Sequence, residues 1–322
     1  MSLERAIVVC MTPVKNEEWI MKRFLEAASL WADVIIVADQ GSMDRTAEIC
    51  QSFPKVKLIQ NTSEKFNEEG RQDLLIRSAR EIPGKRLLVA LDADEFLTGN
   101  FESEPEWNEM LMAEPGTVFE MKWPCIASDY QNYWMTEGAS NLFAVMDDGC
   151  PHHGREIHSI RVPVSEHAVI RRLETLEVMH FQYTDWNRMK CKNLWYQCYE
   201  RIHHPEKSAA SIYRMYHHMD VRRTLQKIPE SWLEAYESAG IHLDEQEEIT
   251  KEYWWTKEIH DFIEQYGENF FQYIDFPQNQ NALLGYLRKT QCLWKYRYGR
   301  ALLRRVDPLA ERCLQKGNEK RA

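Results

Sequence analysis

The chain has 322 residues, 44% of them hydrophobic and 28% charged, and a formal net charge of −10. That length allows one large domain or two smaller ones with ample core, and the acidic balance argues against nucleic acid as the main partner. No apolar run approaches the roughly eighteen residues of a membrane span, no cleavage-site pattern follows the N-terminus, and eight scattered cysteines form no C-x-x-C pair, so a cytoplasmic protein with reduced thiols is expected.

In chain order, Ala6–Met11 is a first buried strand, with Thr12–Glu18 as the loop at its carboxyl end. From Glu18 to Leu30, Trp19, Ile20, Phe24, Leu25 and Ala28 recur at helical spacing. Asp33–Ala38 reads as a strand, Asp39–Asp44 as a loop and Arg45–Ser52 as a helix with Asp44 as its N-cap. A strand at Val56–Gln60 and a helix near Glu69–Arg80 follow, then a fourth strand, Arg86–Leu91. Alternating β-α units imply a parallel, right-handed, doubly wound sheet whose ligands bind at the carboxyl ends of its strands.

After Phe96 the alternation stops. A helix over Glu104–Met112 and strands at Thr117–Trp123, Leu142–Met146, Ile157–Val162 and Val178–Gln182 predict a mixed extension of the sheet. Helices are expected at Trp186–His204, Ala209–Ile228, Ser231–Ala239, Glu245–Tyr266 and Asn281–Leu303. The chain thus divides into an α/β domain over 1–184, with halves 1–100 and 101–184, and a helical C-terminal region over 185–322.

The fourth strand ends in Asp92-Ala93-Asp94-Glu95. In an extended chain Asp92 and Asp94 point to the same side, and two acids so placed need a counter-charge. A hard divalent cation holding substrate phosphates supplies one; an acidic turn capping the next helix is the other reading.

Three segments, Val14-Lys15-Asn16-Glu17-Glu18, the run from Val37 to Asp44, and Leu91-Asp92-Ala93-Asp94-Glu95, resemble the family-2 glycosyltransferases in order and spacing. The resemblance covers the first third strongly and continues weakly to Tyr183. It implies a GT-A fold, with residues 1–100 binding nucleotide and 101–184 binding acceptor. It also implies a UDP- or GDP-sugar donor, Mn²⁺ or Mg²⁺, a hexosyltransferase-like reaction, and inversion at the anomeric carbon.

Asp39, at a strand end, can accept from the N–H edge of uracil or guanine, and its place matches the family's base-binding acid; a helix-capping acid is the alternative. Thr12, Pro13 and Val14 would floor the base and Glu17 would accept from ribose or base, unless they are an ordinary strand-helix loop. Arg71 stands where the family often turns a basic residue to the nucleotide, or is a solvated arginine. Asp92, Ala93 and Asp94 line the donor, with Asp94 the direct metal ligand and Asp92 reaching ribose or, through water, metal. His180 resembles the histidine some relatives supply as a third ligand; a histidine bonded to backbone is the alternative.

An inverting transfer also needs a base. The family often carries it in a His-Glu pair beyond the Asp-x-Asp strand, whereas Gly154-Arg155-Glu156-Ile157-His158-Ser159 has His followed by Ser. Glu156 is the first choice, sharing a strand face with His158, and Asp129 the second, ahead of Asp147 and Asp148. His152 and His153 read as exposed loop histidines.

Trp123, Tyr130, Tyr133 and Trp134 either stack on an acceptor sugar or pack in the core. From Ala282 onward, eleven Lys or Arg face three acids, a composition that suits helices on an anionic membrane carrying a lipid-linked or polysaccharide acceptor. Docking on the acidic body is the alternative, and the oligomeric state is open. Two competing functions remain. A sugar nucleotidyltransferase calls for a glycine-rich loop that Cys10–Lys15 lacks, and a nucleotide-sugar-binding protein without catalysis would act through its helical tail.

Overall fold

The computed structural model describes residues 5–63, 66–136, 138–217, 223–244, 253–271 and 274. The helix expected at Asn281–Leu303, the basic tail and the first part of the helix expected from Glu245 lie outside them. Two compact units emerge: Met1–Trp186 with Arg223–Lys251, and Asn187–Arg222 with Glu252–Ala322. The expected boundary at 184/185 adjoins the end of the first long segment, but Arg223–Lys251 returns to the first unit.

The first unit alternates as its sequence predicts: β1 (Ile7–Val14), α1 (Glu18–Trp31), β2 (Val34–Asp39), α2 (Thr46–Gln51), β3 (Val56–Gln60), α3 (Glu68–Arg80) and β4 (Arg86–Ala90). β1 runs parallel to β2 on one side and to β4 on the other, and β2 is parallel to β3. Val8 and Cys10 of β1 join one core cluster with α1, while Val9 and Met11 join another with Leu75, Ile76 and Ala79 of α3. Side chains that alternate in this way bury both faces of the sheet, which is why these strands are nearly continuous apolar runs.

Beyond β4 the chain continues through β5 (Glu95–Leu97), α4 (Pro105–Met112), β6 (Thr117–Lys122), β7 (Cys125–Ile126), β8 (Asn132–Trp134), β9 (Ser140–Met146), β10 (Val169–Arg172) and β11 (Val178–His180). Strand β9 inserts antiparallel between β4 and β6, giving the seven-stranded order β10-β6-β9-β4-β1-β2-β3. A second sheet has the order β12-β8-β7-β11-β5, where β12 is Gln226–Lys227.

Several expected elements differ. Thr12–Val14 extend β1 rather than forming a loop, because Thr12, Pro13 and Val14 pair with Val37, Ala38 and Asp39. No strand forms over Ile157–Val162: His158 takes a left-handed φ of 56° and a Cβ at Gly154 would collide with Ser159 Oγ, so the segment folds irregularly. The strand there is instead β10, exposed at the sheet edge. The helix expected over Ala209–Ile228 stops as α6 (Ala209–Tyr216), since Gln226 and Lys227 pair with Tyr133 and Asn132. Ser231–Ala239 becomes a 3₁₀ turn, Glu230–Trp232, and a short α7 (Glu234–Ser238).

In the second unit, α5 (Trp186–His203) and α6 meet where buried Glu200 accepts from Tyr216 Oη at 3.0 Å and from Lys207. On α8 (Trp254–Tyr266), Glu258 accepts from Trp195 Nε1 at 2.7 Å. No helix among the described residues is long and apolar enough to cross a membrane.

The loops after β1 and β2 are laced together by side chains. Asn16 Oδ1 accepts from Met43 N at 2.7 Å, Ser42 Oγ from Asn16 N at 2.9 Å and Thr46 Oγ1 from Glu17 N at 2.8 Å. Asp44 is not the N-cap: α2 starts at Thr46. Its Oδ1 accepts from Thr46 N at 2.9 Å and its Oδ2 from Glu18 N at 3.1 Å, so it ties both helix starts. Each such bond to a charged acceptor is worth about 1.5–3 kcal/mol. Asp44→Ala should therefore lower unfolding free energy by about 2 kcal/mol in urea titration; an unchanged midpoint would mean that the lacing carries no stability.

A second anchor is Asp147, just after β9. Its fully buried carboxylate meets Arg80 and Arg86, each at 2.9 Å. Burial pushes its pKa up, but the hydrogen bonds from Arg80 and Arg86 outweigh this and hold it below the usual carboxylate range. A depressed folded pKa adds stability that is present above the unfolded value and lost as pH falls through the folded one. Asp147→Asn should cost about 3 kcal/mol at pH 7, and the gap from wild type should close below about pH 4, read from urea midpoints across pH. A gap independent of pH would contradict the ion-pair origin.

Candidate active site

β1 is flanked by β2 and β4, so the direction of winding reverses between β1 and β4, the place at whose carboxyl ends sheets of this kind bind ligands. Leu91 N donates to Met11 O at 3.1 Å, which sets the acidic stretch beside Thr12. Thr12 is fully buried, and its Oγ1 has no hydrogen-bond partner among the described residues. Pro13 is half-buried and Val14 buried.

Asp39 ends β2, 2% exposed, and its Oδ1 accepts from Ser42 N at 3.0 Å and Ser42 Oγ at 2.5 Å. It does not cap a helix. Glu17 accepts from Trp19 Nε1 at 2.7 Å. Arg71 is the fourth residue of α3, 3.6 Å from Glu68 and over the Phe66 ring at 5.5 Å, with a buried Nε that lacks a partner among the described residues.

The acidic stretch splits between two partners. β5 pairs antiparallel with β11, with Glu95 opposite His180, and this pairing brings His180 Nε2 to 3.8 Å from Asp94 Oδ2. Both residues are buried. His180 lies face to face with Trp123, centroids 4.5 Å apart at 12°. Asp92 turns elsewhere: its Oδ2 accepts from Arg161 Nη2 at 3.0 Å, and Arg161 also pairs with both oxygens of fully buried Glu95. Ala93 between them is buried. Burial pushes the Glu95 carboxyl up to about 7, with Arg161 opposing and Asp92 adding to the rise. Arg161 itself stacks over Trp123 at 5.4 Å and Phe143 at 5.2 Å. Sequence reasoning missed Arg161, which it placed in an expected strand at Ile157–Val162 and did not connect with the acids at Asp92 and Glu95.

Among the described residues no three His, Cys, Asp or Glu side chains gather as a metal cage. Asp94 and His180 nevertheless fit a divalent cation of the kind completed by substrate oxygens, which takes only one or two protein ligands.

The two acids considered as base lie on loops. Asp129 accepts from Asn132 Nδ2 at 2.7 Å and from the backbone of Gln131 and Asn132 at 3.0 Å, and the Asn132 side chain foremost holds its pKa below the usual range. Glu156 is exposed, on a loop whose carbonyl accepts from Glu68 N at the start of α3. Asp147 is held by two arginines, and Asp148 Oδ1 accepts from Cys150 N at 2.9 Å. His152 is not an exposed loop histidine: it is 8% exposed and lies between Asp73 Oδ1 at 3.1 Å and Ile160 O at 2.9 Å. His153 is exposed. Of the aromatics, Trp134 is buried against Tyr183, Tyr133 packs on Trp232, and Tyr130 packs towards Phe181.

No curated protein matches the chain. Among solved structures, it is similar to glucosyl-3-phosphoglycerate synthase from Mycobacterium tuberculosis in complex with phosphoglyceric acid, 20% identical over 38% of this chain and 44% of that one, with a TM-score of 0.27. It thus spans less than half of that enzyme. HddC from Yersinia pseudotuberculosis is 11% identical over 54% of this chain and 92% of its own, with a TM-score of 0.32. Residues 9–112 match the family model Glycosyl transferase family 2. That segment holds β1 to α4, including the laced loops and the whole Asp92–Glu95 stretch. Residues 9–112 are thus similar to the family-2 glycosyltransferases, and the mostly parallel α/β sheet around them is of the kind that the GT-A fold implies.

Proposed function

We propose that this chain is a metal-dependent, inverting glycosyltransferase that moves a hexose from a UDP- or GDP-sugar to a glycan or lipid-linked acceptor. The observation that supports the reading is the buried Asp94–His180 pair, 3.8 Å apart, following a strand whose parallel neighbours β1 and β2 carry Thr12 and Asp39 towards the same sheet edge. Asp39, oriented by Ser42, accepts from the N–H edge of the base. Thr12, Pro13 and Val14 form the floor, and Glu17 and Arg71 flank the nucleotide. Asp94 and His180 hold Mn²⁺ or Mg²⁺, which when bound neutralises the two phosphates of the leaving nucleoside diphosphate.

In the transfer, the acceptor hydroxyl oxygen bonds to the anomeric carbon as the carbon–oxygen bond to the phosphate breaks. The hydroxyl proton passes to a carboxylate on the opposite face. Asp129 is occupied by its turn and made less basic, so Glu156 is the base in this reading. Chemistry of this type belongs on the cytoplasmic side, and the basic tail would bring the chain to a membrane-borne acceptor.

Thermal-shift titration with UDP, GDP, CDP and dTDP, each with Mn²⁺, Mg²⁺ or chelator, tests the donor site. One diphosphate should raise the melting temperature, since a ligand at a hundredfold its Kd adds about 2.7 kcal/mol. Chelator should remove the shift, and Asp94→Ala should abolish its metal dependence. Asp39→Ala should weaken binding by about tenfold or more, the loss of one hydrogen bond to a charged group. If no diphosphate shifts the protein with either metal, the reading fails.

A further inference from the structure

The first N–H groups of a helix have no partner inside it, and in α3 a distant loop supplies partners for two of them. Asn67 Oδ1 accepts from Gly70 N at 3.0 Å, while Glu68 N donates to Glu156 O at 3.0 Å and Glu69 N to Arg155 O at 3.1 Å. The exchange runs both ways: Glu68 Oε2 accepts from Ser159 N at 2.8 Å and Glu69 Oε1 from Gly154 N at 3.2 Å. A Cβ at Gly154 would stand 3.0 Å from Glu69 Cβ, so the loop lies against α3 with no room for a side chain there. Glu68 does more than its neighbour. Its side chain is 12% exposed, its Oε1 is 3.6 Å from Arg71 Nη2, and its charge acts on Arg161, which holds Asp92 and Glu95.

We infer that Glu68 is a positioning residue for Glu156: by accepting from Ser159 N it fixes the backbone on which the proposed base stands. This rests on the reading of Glu156 as base given above. An exposed carboxylate on a loop without regular structure has no fixed place of its own, and a misplacement of about 1 Å can cost roughly a hundredfold in rate. Glu68 removes that freedom at two points, because its N–H holds the carbonyl of Glu156 itself and its carboxylate holds the chain three residues later. The second bond has an ionised acceptor and belongs to the stronger class. Its two side-chain contacts also differ in kind. Ser159 N needs only an acceptor oxygen, whereas Arg71 needs a negative charge, so a neutral amide at position 68 separates the one from the other.

Release of UDP or GDP from UDP-glucose, UDP-galactose and GDP-mannose by the full chain with Mn²⁺ tests this, with water as acceptor. The water oxygen bonds to the anomeric carbon as the carbon–oxygen bond to the phosphate breaks, and a water proton passes to Glu156. Glu68→Ala should lower kcat about tenfold or more, the loss expected of a hydrogen bond to a charged group, with a smaller change in the donor KM. Hydrogen–deuterium exchange should rise over residues 154–161 in the same variant. Glu68→Gln keeps an oxygen for Ser159 N and should restore both readouts. In a Glu156→Gln background Glu68→Ala should cost nothing further, because residues that act as one unit are not additive. Where Glu68→Ala folds poorly, Gly154→Ala, which sets a methyl group against Glu69, should loosen the same loop and lower kcat in the same way. A purely structural Glu68 would lower the unfolding midpoint and leave kcat intact, or lower kcat equally with and without Glu156; either result overturns the inference and leaves the donor site standing. Wild type that releases no diphosphate from any of these donors, or a Glu156→Gln variant as active as wild type, overturns the base reading and the inference together.

Discussion

Three carboxylates within four residues, at the end of a strand buried on both faces, repel one another in surroundings where water screens them poorly. The first unit is built around relieving that repulsion. Arg161 offsets two of the charges, and it is tolerated inside the protein because its guanidinium is paired with two carboxylates and lies over two aromatic rings. Glu95, fully buried, would otherwise favour its neutral form, and its raised pKa shows how far burial pulls against the ion pair.

Topology then decides which acid faces what. In a parallel sheet every strand delivers its carboxyl end to the same edge, so Thr12, Asp39 and Leu91 are brought there by strand register. The short second sheet adds a residue from far along the chain: β11 pairs with β5, and His180 is carried to the side of Asp94. Thr184 and Tyr236 anchor the neighbouring backbone, with Thr184 Oγ1 donating to Phe181 O at 2.8 Å and Tyr236 Oη to Leu97 O. The sheet pairing and these bonds hold the imidazole in register before any ligand is present.

What could be read from the sequence follows the strength of local signals. β1 to β4 are apolar on both faces, and the run of apolar residues alone marks them; Asp39 and Asp94 come with them because they sit where those runs end. β10 escaped notice because Val169, Ile170, Arg171 and Arg172 are all exposed, so neither alternation nor an apolar run distinguishes it. The strand expected at Ile157–Val162 has β-forming residues but fails on backbone geometry, with His158 left-handed and Gly154 in close contact. Arg161 lies in that same irregular segment. Its role comes from two acids more than sixty residues earlier, a relation that no spacing rule expresses.

The same contrast separates the strand ends from the loops in physical terms. The residues proposed for the donor stand on strand ends, and their loops are fastened to each other by Asn16, Ser42, Asp44 and Thr46, so Asp39 has one orientation set by Ser42. The two acids weighed as base, Asp129 and Glu156, stand on connections whose shape depends on an Asx-type turn and on contacts with the start of α3. Rigid strand ends suit a diphosphate nucleotide, whose geometry is the same whatever sugar it carries. Irregular loops can change length and side chains without disturbing the sheet, and recognition of a variable partner is most cheaply placed there. On that division, the residues proposed for the sugar's carrier lie in the part of the chain that is legible from local sequence, and those weighed for the acceptor side in the part that is legible only once folded.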